Sequence, residues 1–271
     1  LNQKKDKLKG NIKFVFQPAE EVGAGAKAMI DEGVMKNPSV DHSFGLHVAA
    51  ELPSGSFGIA SGATCAAVAN FNIEVLGVGG HAASPHKTID PIVIGAQIVT
   101  ALQTVVSRNI NPLKPSVLTI GTFHSGTKEN IISDKATISG TIRSFDMELM
   151  EEMPKRIESI VRGITDSMGA SYKFSHALHC PPVLNDPSFT QLVMDKAIDL
   201  VGENYISEVR IAGADDMAYF LEEAPGCFYF LGVADQDIGP QVHHQPRFAF
   251  DDKALALGVE LSLKVIEDFL V

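Results

Sequence analysis

Residues Lys13–Gly25 read K-F-V-F-Q-P-A-E-E-V-G-A-G, and the meaning of this stretch decides the fold. The apolar run Phe14, Val15, Phe16 is stopped by Pro18. Two adjacent carboxylates, Glu20 and Glu21, then precede a small-residue segment able to start a helix. Apolar character on both faces is what a buried parallel strand requires. In open α/β sheets the carboxyl end of such a strand is the usual floor of an active site. Two carboxylates placed there repel unless a cation or a shared proton offsets the repulsion. The competing reading is a pair of solvated acids favoured by a helix dipole. The stretch alone leaves both open.

Outward from it, Ala24–Glu32 reads as a helix closed by Gly33, and His42–Val48 as a second buried strand with His47 at its far end. From Asn70 the pattern changes: Phe71, Ile73 and Val75 alternate with Asn70, Asn72 and Glu74, the signature of a half-buried strand. A second domain is therefore expected to begin near residue 68. Within it a helix is predicted over Pro91–Val106, strands over Val117–Phe123 and Ala136–Arg143, a helix over Glu148–Gly169 and a strand over Ser171–Ala177. Strand, helix, strand, strand, helix, strand is the split βαβ order of a ferredoxin-like module. Cys180-Pro181-Pro182 marks a linker, because paired prolines favour extended backbone.

Beyond the linker, Ser188–Val201 and Asp215–Glu222 read as helices and Gly226–Val233 as a buried strand. A polar loop, Asp235–Arg247, carries His243 and His244. Lys253–Leu270 is a closing amphipathic helix expected to turn Leu255, Val259, Leu263, Ile266 and Phe269 or Leu270 inward. The predicted fold is thus a main doubly wound α/β domain, residues 1–67 and 183–271, interrupted by an α+β domain at 68–182.

The composition restricts the partners. A net charge of −11 argues against a nucleic-acid surface. No apolar run is read as approaching the roughly 20 residues of a membrane helix. The three cysteines, Cys65, Cys180 and Cys227, form no C-x-x-C pair and read as reduced thiols, which suggests a cytoplasmic protein. Leu1–Gly10 has no secretory pattern, and Leu8 and Gly10 look like the end of a helix begun earlier, so upstream sequence is expected.

Of the nine histidines, His42, His124, His176 and His179 have no partner pattern and read as structural or surface groups. His47 is different, because an imidazole ending an apolar strand needs a hydrogen-bond partner or a metal. His243 and His244 follow another buried strand at the rim of the same sheet. Glu20, Glu21, His47 and His244 would then converge at strand ends. Mixed Glu and His donors suit Zn²⁺, Mn²⁺ or Co²⁺ rather than Mg²⁺ or Ca²⁺. A second Glu that is not a ligand is a natural general base. No G-x-S-x-G elbow, G-x-G-x-x-G fingerprint or zinc-finger spacing competes with this.

Five motifs in order carry a family likeness: F-Q-P-A-E-E (Phe16–Glu21), G-L-H-V (Gly45–Val48), G-V-G-G-H-A-A-S-P-H with D-P-I (Gly77–Ile92), N-I-I with G-T-I-R (Asn130–Arg143), and H-Q-P-R-F (His244–Phe248). Together they resemble the di-metal aminoacylase and carboxypeptidase clan, metallopeptidase family twenty. The nearest branch holds hippurate hydrolases, N-acyl-amino-acid amidohydrolases and auxin-conjugate hydrolases. The resemblance implies two divalent ions per complete subunit, with Glu20 as general base and acid and Glu21, His47 and His244 as ligands. It implies that His81 reaches a substrate carbonyl and that Asn130 and Arg143 contact the substrate, Arg143 being suited to a carboxylate. The inserted domain would be a lid and a homodimerisation module. Relatives also draw ligands from an upstream C-G-H-D-x-H motif that these residues lack. The metal site is therefore expected to be incomplete in this chain, which leaves its activity in isolation open. The rival expectations are a dipeptidase or carboxypeptidase of the same clan, and a non-catalytic dimerising or regulatory fragment.

Overall fold

Continuous and alternating apolar patterns sort the strands into different sheets. The computed structural model describes residues 1–235, 238 and 243–270. In chain order the first elements are helix α1 (Gly25–Asp31) and strands β1 (Ser43–Pro53), β2 (Phe57–Gly58), β3 (Gly62–Cys65), β4 (Ala67–Leu76) and β5 (Gly80–His81). Helix α2 (Pro91–Asn109), strands β6 (Ser116–Ser125), β7 (Ile131–Ile132) and β8 (Lys135–Ser144), helix α3 (Met147–Ser167) and strand β9 (Ser171–Cys180) follow. The chain continues with β10 (Val183–Asn185), α4 (Pro187–Val201), β11 (Ile206–Ser207), α5 (Met217–Glu223), β12 (Gly226–Ala234) and α6 (Ala254–Leu270). Two compact units result: Leu1–Cys65 with Val183–Ile211 and Asp215–Val271, and Ala66–Pro182 with Ala212–Ala214.

In the first unit the sheet order is β1-β12-β2-β11. β1 and β12 run parallel, as do β2 and β11, whereas β12 and β2 run antiparallel, so the sheet is mixed rather than all parallel. The apolar run of β12 is buried along nearly its whole length, as a strand covered on both faces must be. Its Tyr229, Leu231 and Val233 pack with Phe57 and Ile59, with Phe189 and Val193 of α4, and with Leu261 and Val265 of α6.

Three expectations fail in this unit. Phe14–Phe16 is not a strand: the segment has no ladder partner among the described residues, and Phe14 and Phe16 are 68% and 88% exposed. A strand exists only through its neighbours, and β1, the edge strand of the sheet, pairs with β12 and not with this segment. The Lys13 ammonium instead anchors the segment by donating to the carbonyl oxygens of Val34 (2.6 Å), Lys36 (3.0 Å) and Pro38 (3.0 Å). Second, β1 runs on to Pro53, so exposed His47 lies mid-strand, paired in register with Phe230, and not at a buried end. Third, α6 turns Ala254, Gly258, Leu261 and Val265 inward while Leu255 and Val259 are 42% and 61% exposed. The helix is apolar on more than one face. The face with Gly258 can approach closely, since a Cβ there would lie only 3.1 Å from Leu231.

The second unit is a four-stranded antiparallel sheet ordered β6-β8-β4-β9. Phe71, Ile73 and Val75 point into a core shared with Ile94, Ile98 and Leu102 of α2 and Met153, Ile157 and Val161 of α3. Asn70 and Asn72 face solvent, so the period-two reading holds. Asp90 and Asp146 cap the two helices by accepting from the amides of Ile92 and Glu148, each at 2.9 Å. This is the expected α+β module with the split βαβ order. Helix α2 does pass the length and apolarity of a membrane span, contrary to the sequence reading. Its apolar stripe is nevertheless occupied by the sheet core, as in an ordinary packed helix.

Candidate metal centre

Glu20 and Glu21 sit on a single 3-10 turn, Glu20–Val22, rather than at the end of a strand. The turn is bounded by left-handed Ala19 (φ 53°) and Gly23 (φ 60°). A left-handed residue with a Cβ stores roughly 1–2 kcal/mol, so Ala19 must be held there by its surroundings. Gly25 shows how tightly: a Cβ on it would fall 1.6 Å from the carbonyl oxygen of Pro18. The Glu-Glu pair thus projects from a closed loop whose two limbs touch backbone to backbone.

Acids crowd this loop. One carboxyl oxygen from each of Glu20, Asp215 and Asp216 lies within 4.8 Å of the others. Burial raises the pKa of Glu20 above its ordinary value; Asp215, Glu21 and Asp216 raise it further, and His47 pulls it back. Asp215 is also raised, by burial first, against the opposing pull of the Met217 amide and of His47. Both groups therefore hold a proton more readily than a solvated carboxyl.

The imidazoles complete the cluster. His244 Nδ1 lies 3.7 Å from Glu21 Oε2, and His244 is one of the few non-glycine residues with positive φ (62°). The Nδ1 atom of His47 is 2.6 Å from the carbonyl oxygen of Val48. A carbonyl only accepts, so Nδ1 carries the proton and Nε2 keeps a lone pair. The His47 ring is 5.5 Å from that of His243. His243 differs from its neighbour, because its Nε2 accepts the amide of Ala50 at 3.2 Å and its ring stacks on Phe248 at 4.9 Å. Of the loop expected at Asp235–Arg247, residues 236–237 and 239–242 lie outside the described residues.

The other residues singled out from sequence belong to the second unit. His81 in β5 pairs with Ile131, and the amide of Ala82 donates to the carbonyl of Asn130 at 3.1 Å, so His81 and Asn130 lie on adjacent segments. The His81 Nδ1 accepts the amide of Ala83 at 3.1 Å, which leaves the ring proton on Nε2. Arg143 in β8 donates from Nη1 to the carbonyl oxygen of Ala212 at 2.8 Å, using part of its fork on the protein itself.

From the sequence Asp215 and Asp216 read only as the start of a helix. The available signal was two acids directly before the apolar run Met217–Leu221, which forecasts burial of the carboxylates. As a donor set, one carboxylate beside one imidazole, a second imidazole with a free lone pair and an excess of buried acid fit a divalent cation.

Known proteins resemble this chain along nearly its whole length. The peptidase family M20/M25/M40 matches residues 1–268. The N-acetylcysteine deacetylase of Bacillus subtilis is 36% identical over 271 residues, covering 98% of this chain and 70% of the relative. Thermostable carboxypeptidase 2 of Saccharolobus solfataricus is 40% identical over 263 residues, covering 95% and 66%. The crystal structure of the Bacillus subtilis YxeP protein, a dinuclear metal-binding peptidase, superposes with a TM-score of 0.82 at 30% identity, covering 99% of this chain and 68% of that one. The chain spans about two thirds of the length of the curated relatives it matches. By motif order, fold and these likenesses, the chain belongs to peptidase family M20/M25/M40.

Proposed function

We propose that the protein is a metal-dependent hydrolase of the amide bond in N-acyl amino acids. In this reading Glu20 is the proton carrier, and Glu21, His47 and His244 are metal ligands. The observation that carries it is the approach of His244 to Glu21 at 3.7 Å, beside a Glu20 whose pKa is raised by burial. Two divalent ions of the zinc, manganese or cobalt kind, bound per complete subunit, would supply a water of lowered pKa and a polarised carbonyl oxygen. Glu20 then takes the proton of the attacking water and returns it to the departing amine, a task that an upward-shifted carboxyl performs near neutral pH. His47 presents Nε2 because Val48 fixes its other nitrogen.

Residues 68–182 form the lid in this reading, between catalytic segments 1–67 and 183–271. His81 donates its Nε2 proton to the oxygen that gains charge in the transition state. Asn130 and Arg143 hold the amino-acid part, Arg143 with the donors it does not give to Ala212. Strand β6 lies at the edge of its sheet with most of its residues exposed, which supports a homodimer formed through the lid. Buried cysteines suit a reducing, cytoplasmic setting. The substrate class draws on the similarity to a deacetylase of N-acetylcysteine. A carboxypeptidase reading has its own support in the 40% identity to a thermostable carboxypeptidase.

The test is hydrolysis of N-acetyl and N-benzoyl amino acids against dipeptides, with Co²⁺ or Zn²⁺ supplied. Glu20→Gln should keep the metal and lose most turnover. Turnover that survives Glu20→Gln removes Glu20 from its role. Preference for dipeptides selects the peptidase reading, and failure to bind any divalent ion selects a non-catalytic one.

A further inference from the structure

Asp216 stands at the N-cap position of α5, yet its side chain caps nothing in that helix. Asp215 performs that task instead, accepting the amide of Met217 at 2.8 Å. The Asp216 carboxylate, 1% exposed, turns to the far end of the chain. Oδ1 accepts from the Gln17 side-chain amide, and Oδ2 accepts the backbone amide of Ala26 at 2.9 Å. Gln17 is where the Glu20–Glu21 loop begins, and Ala26 lies in the first turn of the helix that ends it. That helix has Ala24 at its own N-cap and no side-chain cap, so Asp216 supplies the missing acceptor from a distant part of the sequence.

We infer that Asp216 is a positioning residue: one buried carboxylate closes both ends of the loop that presents Glu20 and Glu21. The inference rests on the metal-centre reading above and extends it. Each carboxylate oxygen accepts a hydrogen bond from one end of this segment, which is the geometry of a clamp. The clamp also accounts for left-handed Ala19 between its two attachment points. Gly23 closes the turn on one side, but Ala19 holds its left-handed conformation without glycine's freedom and without a side-chain cap, so it needs fixing from outside.

A clamp and a charge respond differently to substitution. Asp216→Asn preserves the shape: its Oδ1 can accept Ala26, and its Nδ2 can donate to a flipped Gln17 amide. Asp216→Ala removes both attachments, and Gln17→Ala removes one while leaving the buried acid untouched. The probes are Co²⁺ affinity with its absorption spectrum, and amide hydrogen exchange over residues 17–26, with thermal unfolding run beside them. Partners that orient metal ligands change affinity about 10–100-fold. We expect Asp216→Ala to weaken Co²⁺ binding by about tenfold or more and to speed exchange in the loop. Gln17→Ala should do the same to a smaller extent, and Asp216→Asn should stay within about threefold of the parent. If Asp216→Asn is as damaging as Asp216→Ala, charge or ligation matters and the clamp is overturned. Unchanged exchange and affinity in both Asp216→Ala and Gln17→Ala overturn it as well. A parent protein that takes up no Co²⁺ defeats the metal reading instead. The exchange comparison then decides the clamp: faster loop exchange in Asp216→Ala upholds it, and parent-like exchange ends it.

Discussion

His244 places Nδ1 3.7 Å from Oε2 of Glu21, joining the loop after the last strand to the turn near the beginning of the chain. Both side chains are about three-quarters exposed. As a bare ion pair at such exposure the contact would stabilise the fold little. In the proposed reading the two donors serve a cation rather than the stability of the fold. His244→Ala and Glu21→Ala are therefore expected to leave thermal stability of the metal-free protein nearly unchanged and to weaken Zn²⁺ or Co²⁺ binding by at least about tenfold. Calorimetric titration of each variant checks this. His243→Ala should show the opposite pattern, because its ring holds the Ala50 amide and stacks on Phe248.

The acid cluster predicts a pH response with a definite sign. Glu20 and Asp215 have folded-state pKa values above their ordinary values of 4.5 and 3.8. An acid raised by folding contributes stability that is present below its unfolded pKa and is lost as pH rises through the folded one. Asp186, held low by Ser188 and the Phe189 amide, works the other way and loses its contribution as pH falls through its depressed value. The melting temperature of the metal-free protein should accordingly rise as acidification from neutrality passes the raised values of Glu20 and Asp215, then fall as it passes the depressed value of Asp186. Asp215→Asn keeps an oxygen for the Met217 amide and removes the charge. It should raise the melting temperature at pH 7 and flatten the first limb. Melting curves in chelator across pH measure both. A parent profile with no rise on acidification from neutrality would contradict the crowding of acids.

In the proposed reading His81 acts in turnover and not in metal binding. It lies in the second compact unit, while Glu20, Glu21, His47 and His244 lie in the first. The Ala83 amide fixes its tautomer with the proton on Nε2. His81→Ala should lower kcat by about 10²–10³, the range for removing one oxyanion donor, with Co²⁺ affinity unchanged. Parallel kinetics and metal titration on the same preparation make the comparison.

Period-two alternation announced the second unit clearly, because Phe71, Ile73 and Val75 on one face and Asn70, Asn72 and Glu74 on the other admit one arrangement. The buried run of β12 was equally plain. Phe14–Phe16 misled because apolar residues state a preference for burial, whereas a strand also needs a partner edge, which no single stretch encodes. The face of α6 was ambiguous for a related reason: Leu255 and Val259 advertise hydrophobicity, but the closer approach allowed by Gly258 decides the packing. In the site, the glutamates and histidines stood out by residue type and motif. Asp216 did not, because its significance lies in reaching Gln17 and Ala26, contacts that no local pattern can carry.

Asn185 offers a stability test away from the acids. It is 3% exposed in β10, next to the strands that frame the first unit. Its Nδ2 donates to the carbonyl oxygens of Ala60 and Phe228, both at 2.8 Å, and its Oδ1 accepts the Phe228 amide at 2.7 Å. One side chain thereby satisfies three buried backbone groups and ties the start of β12 to the segment after β2. Asn185→Ala would leave all three without that partner, and each unsatisfied buried group costs about 1–3 kcal/mol. Relaxation and water entry recover part of this, so a loss of about 3–5 kcal/mol is expected, with the midpoint of urea unfolding lowered accordingly. Asn185→Asp retains one acceptor but places a charge against two carbonyl oxygens, so it should be no better than alanine at neutral pH. It should partly recover as the carboxyl is protonated, because the protonated group can again donate. Urea titrations of both variants at pH 7 and pH 5 measure this. An Asp variant whose stability relative to alanine does not improve on acidification would show that the two carbonyl oxygens find other donors.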